Sequence, residues 1–413
     1  MWRWLLGGLA VVVVAVVVLV ASGGSDDSAG HHSGGTDDAV EADLAALQRF
    51  ADSGGGTRAS GTRGDRATGA YLADRLKKAG YRVTVDPFTV PFYEERRPPR
   101  VAIDGKRLRA VRTLQFSPSG HATGRIRAVG LGCSPSDFAG FQPGEIALIR
   151  RGDCFFFQKA AFARRAGAVA ALMVNDGPKP TPGSLFRFGR GIPVVGLGRD
   201  AGAGLAGHRA LVDVRASAGR RRTSNVIGEI GPADATRVVM AGGHRDSVPA
   251  GPGMNDDGSG VVALLAMVDR FPAGRLPPRT ALRIAFWGGE ELGLLGSRRY
   301  VNRLSPSVRQ RIAAYLNLDM VASPGAKVAV YDSQNRIEAT YRRHLPPKAP
   351  QVRLIGDSDH ASFEARSIPA GGIFTGLDDC YHQPCDTIKN VDRKVLAKSI
   401  SATEGTLVDL LAR

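Results

Sequence analysis

Acidic residues are the scarcer charge in this 413-residue chain: 39 Asp and Glu stand against 55 Lys and Arg, a net charge of +16. A surplus of that size raises nucleic acid as a partner, yet what such binding needs is missing. The arginines are dispersed, the longest run (Arg220-Arg221-Arg222) has no aromatic interleaving, and no nucleic-acid motif accompanies it. That leaves a basic solvated surface with weak attraction to an anionic cell envelope. A phosphate cradle is lacking too: Gly54-Gly55-Gly56 has neither Lys nor Ser/Thr following in the required frame, so it reads as a loop. No internal repeat is evident. Cysteine is sparse, and four residues permit three pairings. The local pairing, Cys133 with Cys154 and Cys380 with Cys385, is favoured and fits an exported protein. A thiolate zinc site at Cys380 and Cys385 is the competing reading, with no further Cys nearby to complete it.

Long apolar runs are limited to one, Leu5 to Ala21, which follows Arg3 and carries no charge. Its length lies between a signal-peptide core and a comfortable membrane span, so residues 1–22 are read as a signal peptide or a membrane anchor. No Cys follows to accept a lipid. Either way the remainder is expected outside the cell, secreted or held at the outer face of the membrane through this segment alone. Residues 23–40 read as a flexible linker, because Ser22 to Thr36 is a Gly/Ser/Asp spacer too poor in apolar residues to fold; His31-His32 within it is a solvated pair.

Helical spacing of apolar residues predicts helices over Glu41 to Ala51 and Ala67 to Ala79. Gly80 ends the second, and a strand follows from Tyr81 to Val90. From Val101 to Arg222 the texture changes to short strands and many glycines with no ligand-type cluster. An amphipathic helix, Arg393 to Leu411, closes the chain with Val395, Leu396, Ile400, Leu407 and Leu410 on its buried face.

Chemistry gathers between these last two regions. The apolar strand Val238 to Ala241 stops at a Gly pair and at once delivers His244 and Asp246, then Asn255-Asp256-Asp257-Gly258. Glu290-Glu291 follow the strand Ala281 to Trp287, Asp319 closes Tyr315 to Met320, and Cys380-Tyr381-His382-Gln383-Pro384-Cys385 comes just past Ile373-Phe374. Carboxyl ends of strands are where reactive groups collect in open α/β sheets. Each cluster alone has a plainer reading: an Asp before the helical run Val261 to Phe271 is a cap, and a Glu pair is a helix start. Their co-occurrence favours a metal site. Two His and three carboxylates suit Zn2+, and a shared carboxylate lets two ions sit side by side. One carboxylate is left over as a base. Asp246, two residues after His244, is placed to orient an imidazole or simply to form a turn before Ser247.

These stretches, HRDSVPAGPGMNDDGSG, FWGGEELGLLGSRRYV, YLNLDM and CYHQPCDTIKNVD, resemble in order and interval the secreted bacterial di-zinc aminopeptidases, co-catalytic zinc exopeptidases related to glutamate carboxypeptidase and the transferrin receptor. The likeness runs from about Asn225 to the C-terminus, and LKKAGYRVTVDPFTV resembles the family's opening segment. It implies an α/β fold, a mixed β-sheet flanked by helices, with two Zn2+ as cofactors and peptides as substrates. His244 and Asp319 would hold one zinc, Glu291 and His382 the other, and Asp256 would bridge. Glu290 would be the general base, and Tyr381 would donate to the developing oxyanion. The middle region resembles the protease-associated domain, a β-rich module. The expected division is therefore 41–100 and 223–413 for the peptidase, with 101–222 as the insert. One departure concerns the substrate pocket: where an Arg commonly precedes Ser-Asp-His, this chain has Asp357 before Ser358, Asp359 and His360. Asp359 and His360 are candidates for lining that pocket, with a hydrogen-bonded structural pair as the plainer reading. Because Asp357 disturbs amine recognition, a carboxypeptidase- or dipeptidase-like specificity is a second expectation, and a non-catalytic cell-surface binding protein a third.

Overall fold

The strand ahead of His244 reads out its apolar residues onto two faces of one sheet in the computed structural model. The structure describes residues 33–181, 183–185, 191–272, 276–354, 356 and 358–412. The apolar run Leu5 to Ala21, the pair His31-His32 and Asp357 lie outside them. Two helices come first, α1 (Ser33–Ser53) and α2 (Arg63–Lys78). The expected linker to residue 40 is shorter than read: α1 begins at Ser33, and Val40 packs on the main core together with Leu44 and Leu47. These residues lie three to four apart and so share one helix face, which draws the start of the helix into the polar stretch. Thr62 caps α2 by accepting from the Asp65 N–H.

There follow β1 (Arg82–Ile103), β2 (Lys106–Arg107), β3 (Arg112–Thr113), β4 (Gly120–Ala128), β5 (Ile146–Arg150), α3 (Phe156–Arg165), β6 (Ala170–Val174), β7 (Val194–Leu197), α4 (Arg199–Gly202) and β8 (Arg209–Ile230). The remainder contains β9 (Arg237–His244), α5 (Gly258–Arg270), β10 (Thr280–Trp287), α6 (Leu295–Arg303), α7 (Pro306–Arg311), β11 (Ile312–Leu318), β12 (Ala329–Tyr331), α8 (Arg336–His344), β13 (Gln351–Val352), α9 (His360–Glu364), β14 (Ala370–Phe374) and α10 (Arg393–Leu411).

The main sheet is mixed, ordered β13-β12-β14-β11-β9-β10-β8 with β1 beyond β8. Strands β14, β11, β9 and β10 are mutually parallel, and β8 is antiparallel to β10. Helices cover both faces, so alternate residues of each central strand are buried on opposite sides. Val239, Ala241, Leu282, Ile284 and Phe286 join the core under α1, α2, α5 and α10; Val238, Met240, Ala281, Ala285 and Trp287 join the core under α6 and α9. In α10 Val395, Leu396, Ile400, Leu407 and Leu410 are all buried.

β1 and β8 pair antiparallel along nearly their whole length, from Arg82 opposite Glu229 to Ile103 opposite Ala210. One ribbon thus leaves the main sheet and enters the insert, where β8 exchanges β10 for β4 as its neighbour. The expected limits at residues 101 and 222 fall inside these continuous strands, because β-pairing, not a linker, joins the two regions. In the insert β4, β5, β6, β7 and β3 continue the order. Among the described residues no helix is long and apolar enough to cross a membrane.

Candidate metal centre

Parallel β9, β10 and β11 open their carboxyl ends on one edge, and each delivers a chemical group there. His244 is the last residue of β9, Asp319 follows β11 directly, and Glu290 comes three residues after β10. The Gly pair does not stop β9 as expected; the strand runs through it. A Cβ on Gly242 would lie 2.9 Å from the Tyr315 hydroxyl, and one on Gly243 would lie 2.4 Å from the Leu318 carbonyl oxygen, so the pair lets neighbouring groups close onto the strand. Beneath them a buried ladder runs from Trp287 Nε1 to Tyr315 OH (2.8 Å), on to Asn317 Oδ1 (3.0 Å), and from Asn317 Nδ2 to Ser358 Oγ (2.8 Å).

The two adjacent aspartates after Asn255 divide the readings between them. Asp257 is the cap: its carboxylate accepts from the backbone N–H groups of Gly260 (2.9 Å), His244 (3.1 Å) and Met320 (3.3 Å). Though Asp257 lies close enough to His244 and Asp319 to count as a possible ligand, these three donors already occupy its oxygens. Asp256 points the other way. One of its oxygens is 3.1 Å from His244 Nε2 and the other 3.1 Å from His382 Nε2. Asp319 Oδ1 lies 3.5 Å from His244 Nε2, and Glu291 Oε2 lies 3.2 Å from His382 Nε2. Glu290 Oε2 stands farther off, 3.9 Å from His244 Nε2. The five expected ligands are thus brought together around Asp256, and Glu290 lies beside them.

His244 Nδ1 is 3.0 Å from the backbone carbonyl of Asp246, so Nδ1–H donates there and Nε2 keeps its lone pair toward the carboxylates. Asp246 therefore orients the ring through its main-chain carbonyl. The carboxylate instead accepts from the Glu290 N–H (3.2 Å) and the Ser60 hydroxyl (3.0 Å). Glu290-Glu291 do not start a helix. They occupy a turn in which Gly293 N (2.7 Å) and Leu294 N (2.8 Å) donate to the Glu290 carbonyl, and α6 begins at Leu295.

Both local disulfides are present, Cys133–Cys154 and Cys380–Cys385, which removes the thiolate reading. Inside the second loop the Tyr381 and His382 rings stack at 3.8 Å, and His382 adopts a left-handed backbone, φ 58°. Asp359 and His360 are buried; among the described residues they do not bond each other as the expected pair, since neither Asp359 oxygen has a hydrogen-bond partner there, and the His360 ring stands edge-on to Tyr331 at 4.9 Å. Two residues not foreseen from the sequence brace the centre. Asp386 accepts from the N–H groups of Asn255 (2.8 Å) and Asp256 (3.1 Å). Fully buried Arg58 donates to the carbonyls of Arg245 (2.5 Å), Pro252 (3.0 Å) and Gly253 (2.5 Å). Asp386 directly follows Cys385 in a motif already singled out, a signal that could have found it; Arg58 is distant in sequence and carries none.

Burial of so many carboxylates is costly, and their protonation shows it. Burial, with Asp256 beside it, pushes Glu291 up to about 7. Burial, reinforced by Asp359 and Asp319, holds Glu290 well above the usual carboxylate range. Burial opposes charge on His382, but Asp256 and Glu291 prevail and raise it to about 10. Tyr381, raised by burial and by the nearby carboxylates, stays a neutral donor. A divalent cation fits this donor set. Two imidazoles and three carboxylates match zinc's ligand preferences, Asp256 can offer one oxygen to each of two positions, and the buried Glu291 Oε1 has no hydrogen-bond partner among the described residues.

The comparisons with known proteins agree with this geometry. The pattern of peptidase family M28 matches residues 225–404, and that of the PA domain residues 122–205. The "Probable lipoprotein aminopeptidase LpqL" of Mycobacterium tuberculosis is 33% identical over 412 residues, covering 87% of this chain and 82% of its own. The chain belongs to peptidase family M28. Solved structures of M28-like form align over nearly all of it. The aminopeptidase of Aneurinibacillus sp. strain AM-1 has a TM-score of 0.75 at 28% identity, with 90% of this chain and 93% of that one covered. BSAP, a zinc aminopeptidase from Bacillus subtilis, has a TM-score of 0.69 at 25% identity, with 90% and 94% covered. This M28 chain is therefore a metallo-exopeptidase with an inserted PA domain, of a kind that implies zinc.

Proposed function

We propose that this M28 peptidase is an exported aminopeptidase that uses two zinc ions, with His244, Asp256 and Asp319 at one and His382, Asp256 and Glu291 at the other. The observation that carries the reading is the Asp256 carboxylate, whose two oxygens face two different histidines at 3.1 Å each. Zinc, when bound, supplies Lewis acidity and a water of lowered pKa.

The chain's own groups then divide the work. Glu290, outside both ligand sets and held by the Asp246 contact to its backbone N–H, takes the proton of the attacking water and passes it to the departing amine. Its carboxyl lies in a buried setting that raises its proton affinity well above that of an ordinary carboxylate, which favours its both accepting and returning a proton. The Tyr381 phenol, stacked on His382 and kept protonated, donates to the oxyanion that forms at the scissile carbonyl. Charge at the reacting carbon is thereby met by groups already in place. Export is supported by the apolar run Leu5 to Ala21 and by the two disulfides.

The test offers peptides with free or acetylated N-termini, with and without a chelator. Release of single residues from free termini only, abolished by chelation and restored by zinc, is the expected result. Release from the carboxyl end, or cleavage of acetylated peptides, would overturn the aminopeptidase reading in favour of another M28 specificity.

A further inference from the structure

Net charge is not shared evenly along the chain. Residues 101–222 contain 20 Lys and Arg against 7 Asp and Glu, so the insert holds +13 of the total +16. The rest of the chain, more than twice as long, is nearly balanced.

Strand pairing settles where part of this charge lies. In the insert β2, β1, β8 and β4 form one layer. Val101, Val212 and Ala122 line up across it and are buried in the core shared with Ile146, Leu148, Ala170 and Leu172 of the neighbouring strands. Intervening residues face the other side. On that outer side Arg100 lies opposite Asp213, Arg107 opposite Ala102, Arg97 opposite Arg215, and Arg125 opposite Arg209. Like charges directly across neighbouring strands are destabilising. Asp213 answers one such pair, lying 2.5 Å from Arg97 and 3.2 Å from Arg215. The other pair is answered only at longer range: Asp104 accepts from the Arg209 backbone N–H (3.0 Å) and lies within reach of its charge, and Glu145 lies within reach of that of Arg125. The Arg125 side chain donates to the Gly207 carbonyl (3.0 Å), and among the described residues no carboxylate forms a direct ion pair with Arg100, Arg107, Arg125 or Arg209. All four are exposed.

Arginines spread over four strands, roughly 15 Å across at the usual strand spacing, suit a broad anionic plane better than a single linear chain. The face carries no exposed Phe, Tyr or Trp at these positions, so stacking on a base or sugar ring is not provided for. We propose that the outer face of the insert, centred on Arg100, Arg107, Arg125 and Arg209, docks electrostatically on a bilayer rich in anionic phospholipid headgroups. It acts without insertion, and its attraction weakens as salt screens it.

The test uses the full chain with a fluorophore at Thr123→Cys, which lies on the same face, and vesicles carrying a headgroup quencher. Vesicles of phosphatidylcholine alone are compared with vesicles containing one third phosphatidylglycerol, at low and high salt. Quenching is expected on the anionic vesicles only and should fade at high salt. Each single Arg→Ser change at positions 100, 107, 125 or 209 should weaken it about fivefold. Arg209→Ser should at the same time leave thermal stability nearly unchanged, since relief of the repulsion with Arg125 offsets the lost attraction of Asp104, whose bond to the residue 209 backbone N–H is kept; a drop in stability with no loss of quenching would overturn the assignment of that pair. Equal quenching on neutral vesicles, which would mean that the N-terminal segment alone brings the chain to the bilayer, overturns the proposal. So does tight capture by soluble polyphosphate with no preference between the two vesicles.

Discussion

The two halves of the proposed metal centre are held by different means. His244 and Asp319 stand at the ends of parallel strands, with His244 almost fully buried and its ring fixed by a main-chain carbonyl. His382 and Glu291 stand on a loop and a turn; His382 keeps 37% of its side-chain surface exposed and takes a left-handed backbone. The strand half inherits its geometry from the sheet ladder, whereas the loop half must be built from cross-braces: the Cys380–Cys385 bond, Asp386 and the Tyr381–His382 stack. Asp256 belongs to both, which makes it the point where the difference can be measured.

The largest effect is expected at the residue that belongs to neither ligand set. Glu290→Gln removes a base while keeping shape, and kcat should fall by about a thousandfold, within the usual range for general-base removal. Zinc content should stay at the wild-type value. Metal loss in this variant would mean that Glu290 is a ligand and that the division of the centre has been drawn in the wrong place.

Asp386→Asn attacks the joint between the halves. The carboxylate accepts two backbone N–H groups at the bridging segment, and loss of such supporting contacts around a metal site costs about 10- to 100-fold in affinity or activity. The expected signature is a weakened second zinc, measured by titrating a chelator, with the first retained. Equal weakening of both would show that the loop half has no independent support.

The strand half was legible in the sequence and the loop half only partly so, for physical reasons. Apolar alternation and helix spacing are local, so β9, β10, β11 and α10 could be read from periodicity, and a resemblance supplied the ligand order. What could not be read was set by contacts between distant segments. Gly242-Gly243 looked like a strand end because glycine commonly ends strands; only the Tyr315 hydroxyl and Leu318 carbonyl pressing on them reveal why they are inside one. Asp256 and Asp257 are chemically identical neighbours, and which one caps α5 depends on where the His244 and Met320 N–H groups lie. Arg58 is nearly 190 residues from the Arg245 carbonyl it holds. The insert's limits were invisible because a strand pair, which has no compositional break, carries the chain across.

The two disulfides give a double comparison of intermediate size. Loop-closure entropy assigns roughly 3 kcal/mol of stabilisation to Cys133–Cys154, with a separation of 21 residues, and roughly 2 kcal/mol to Cys380–Cys385, with a separation of 5. Function should rank them the other way. Replacing Cys380 and Cys385 by Ser should lower kcat/KM about tenfold by freeing Tyr381 and His382. Replacing Cys133 and Cys154 should lower the melting temperature more and leave hydrolysis of a short peptide near wild type. If the insert bond proves the more important for turnover, the insert takes part in catalysis and the peptidase body alone is not the machine.

The smallest effect, a few degrees of melting temperature, tests the electrostatics of the loop half. Glu291 is raised from its ordinary 4.5 to about 7, so the stability that its proton contributes is present in full below pH 4.5 and is lost as pH rises through 7. His382 is raised from 6.5 to about 10; its contribution is present below pH 6.5 and is lost as pH rises through 10. Metal-free protein should therefore become less stable between pH 5 and 8. Zinc competes with those same protons, so its binding strengthens over that window. The thermal shift produced by zinc should grow steadily from pH 5.5 to 8, and binding at pH 7 should release protons, seen as a calorimetric heat that depends on the buffer's ionisation enthalpy. The strand half sharpens the reading: with His382→Ala the shift should be smaller and its pH dependence flatter, because one of the two displaced protons is gone. A shift independent of pH in the wild type would mean that Glu291 and His382 are not the groups zinc must deprotonate, and the loop half would lose its place in the centre.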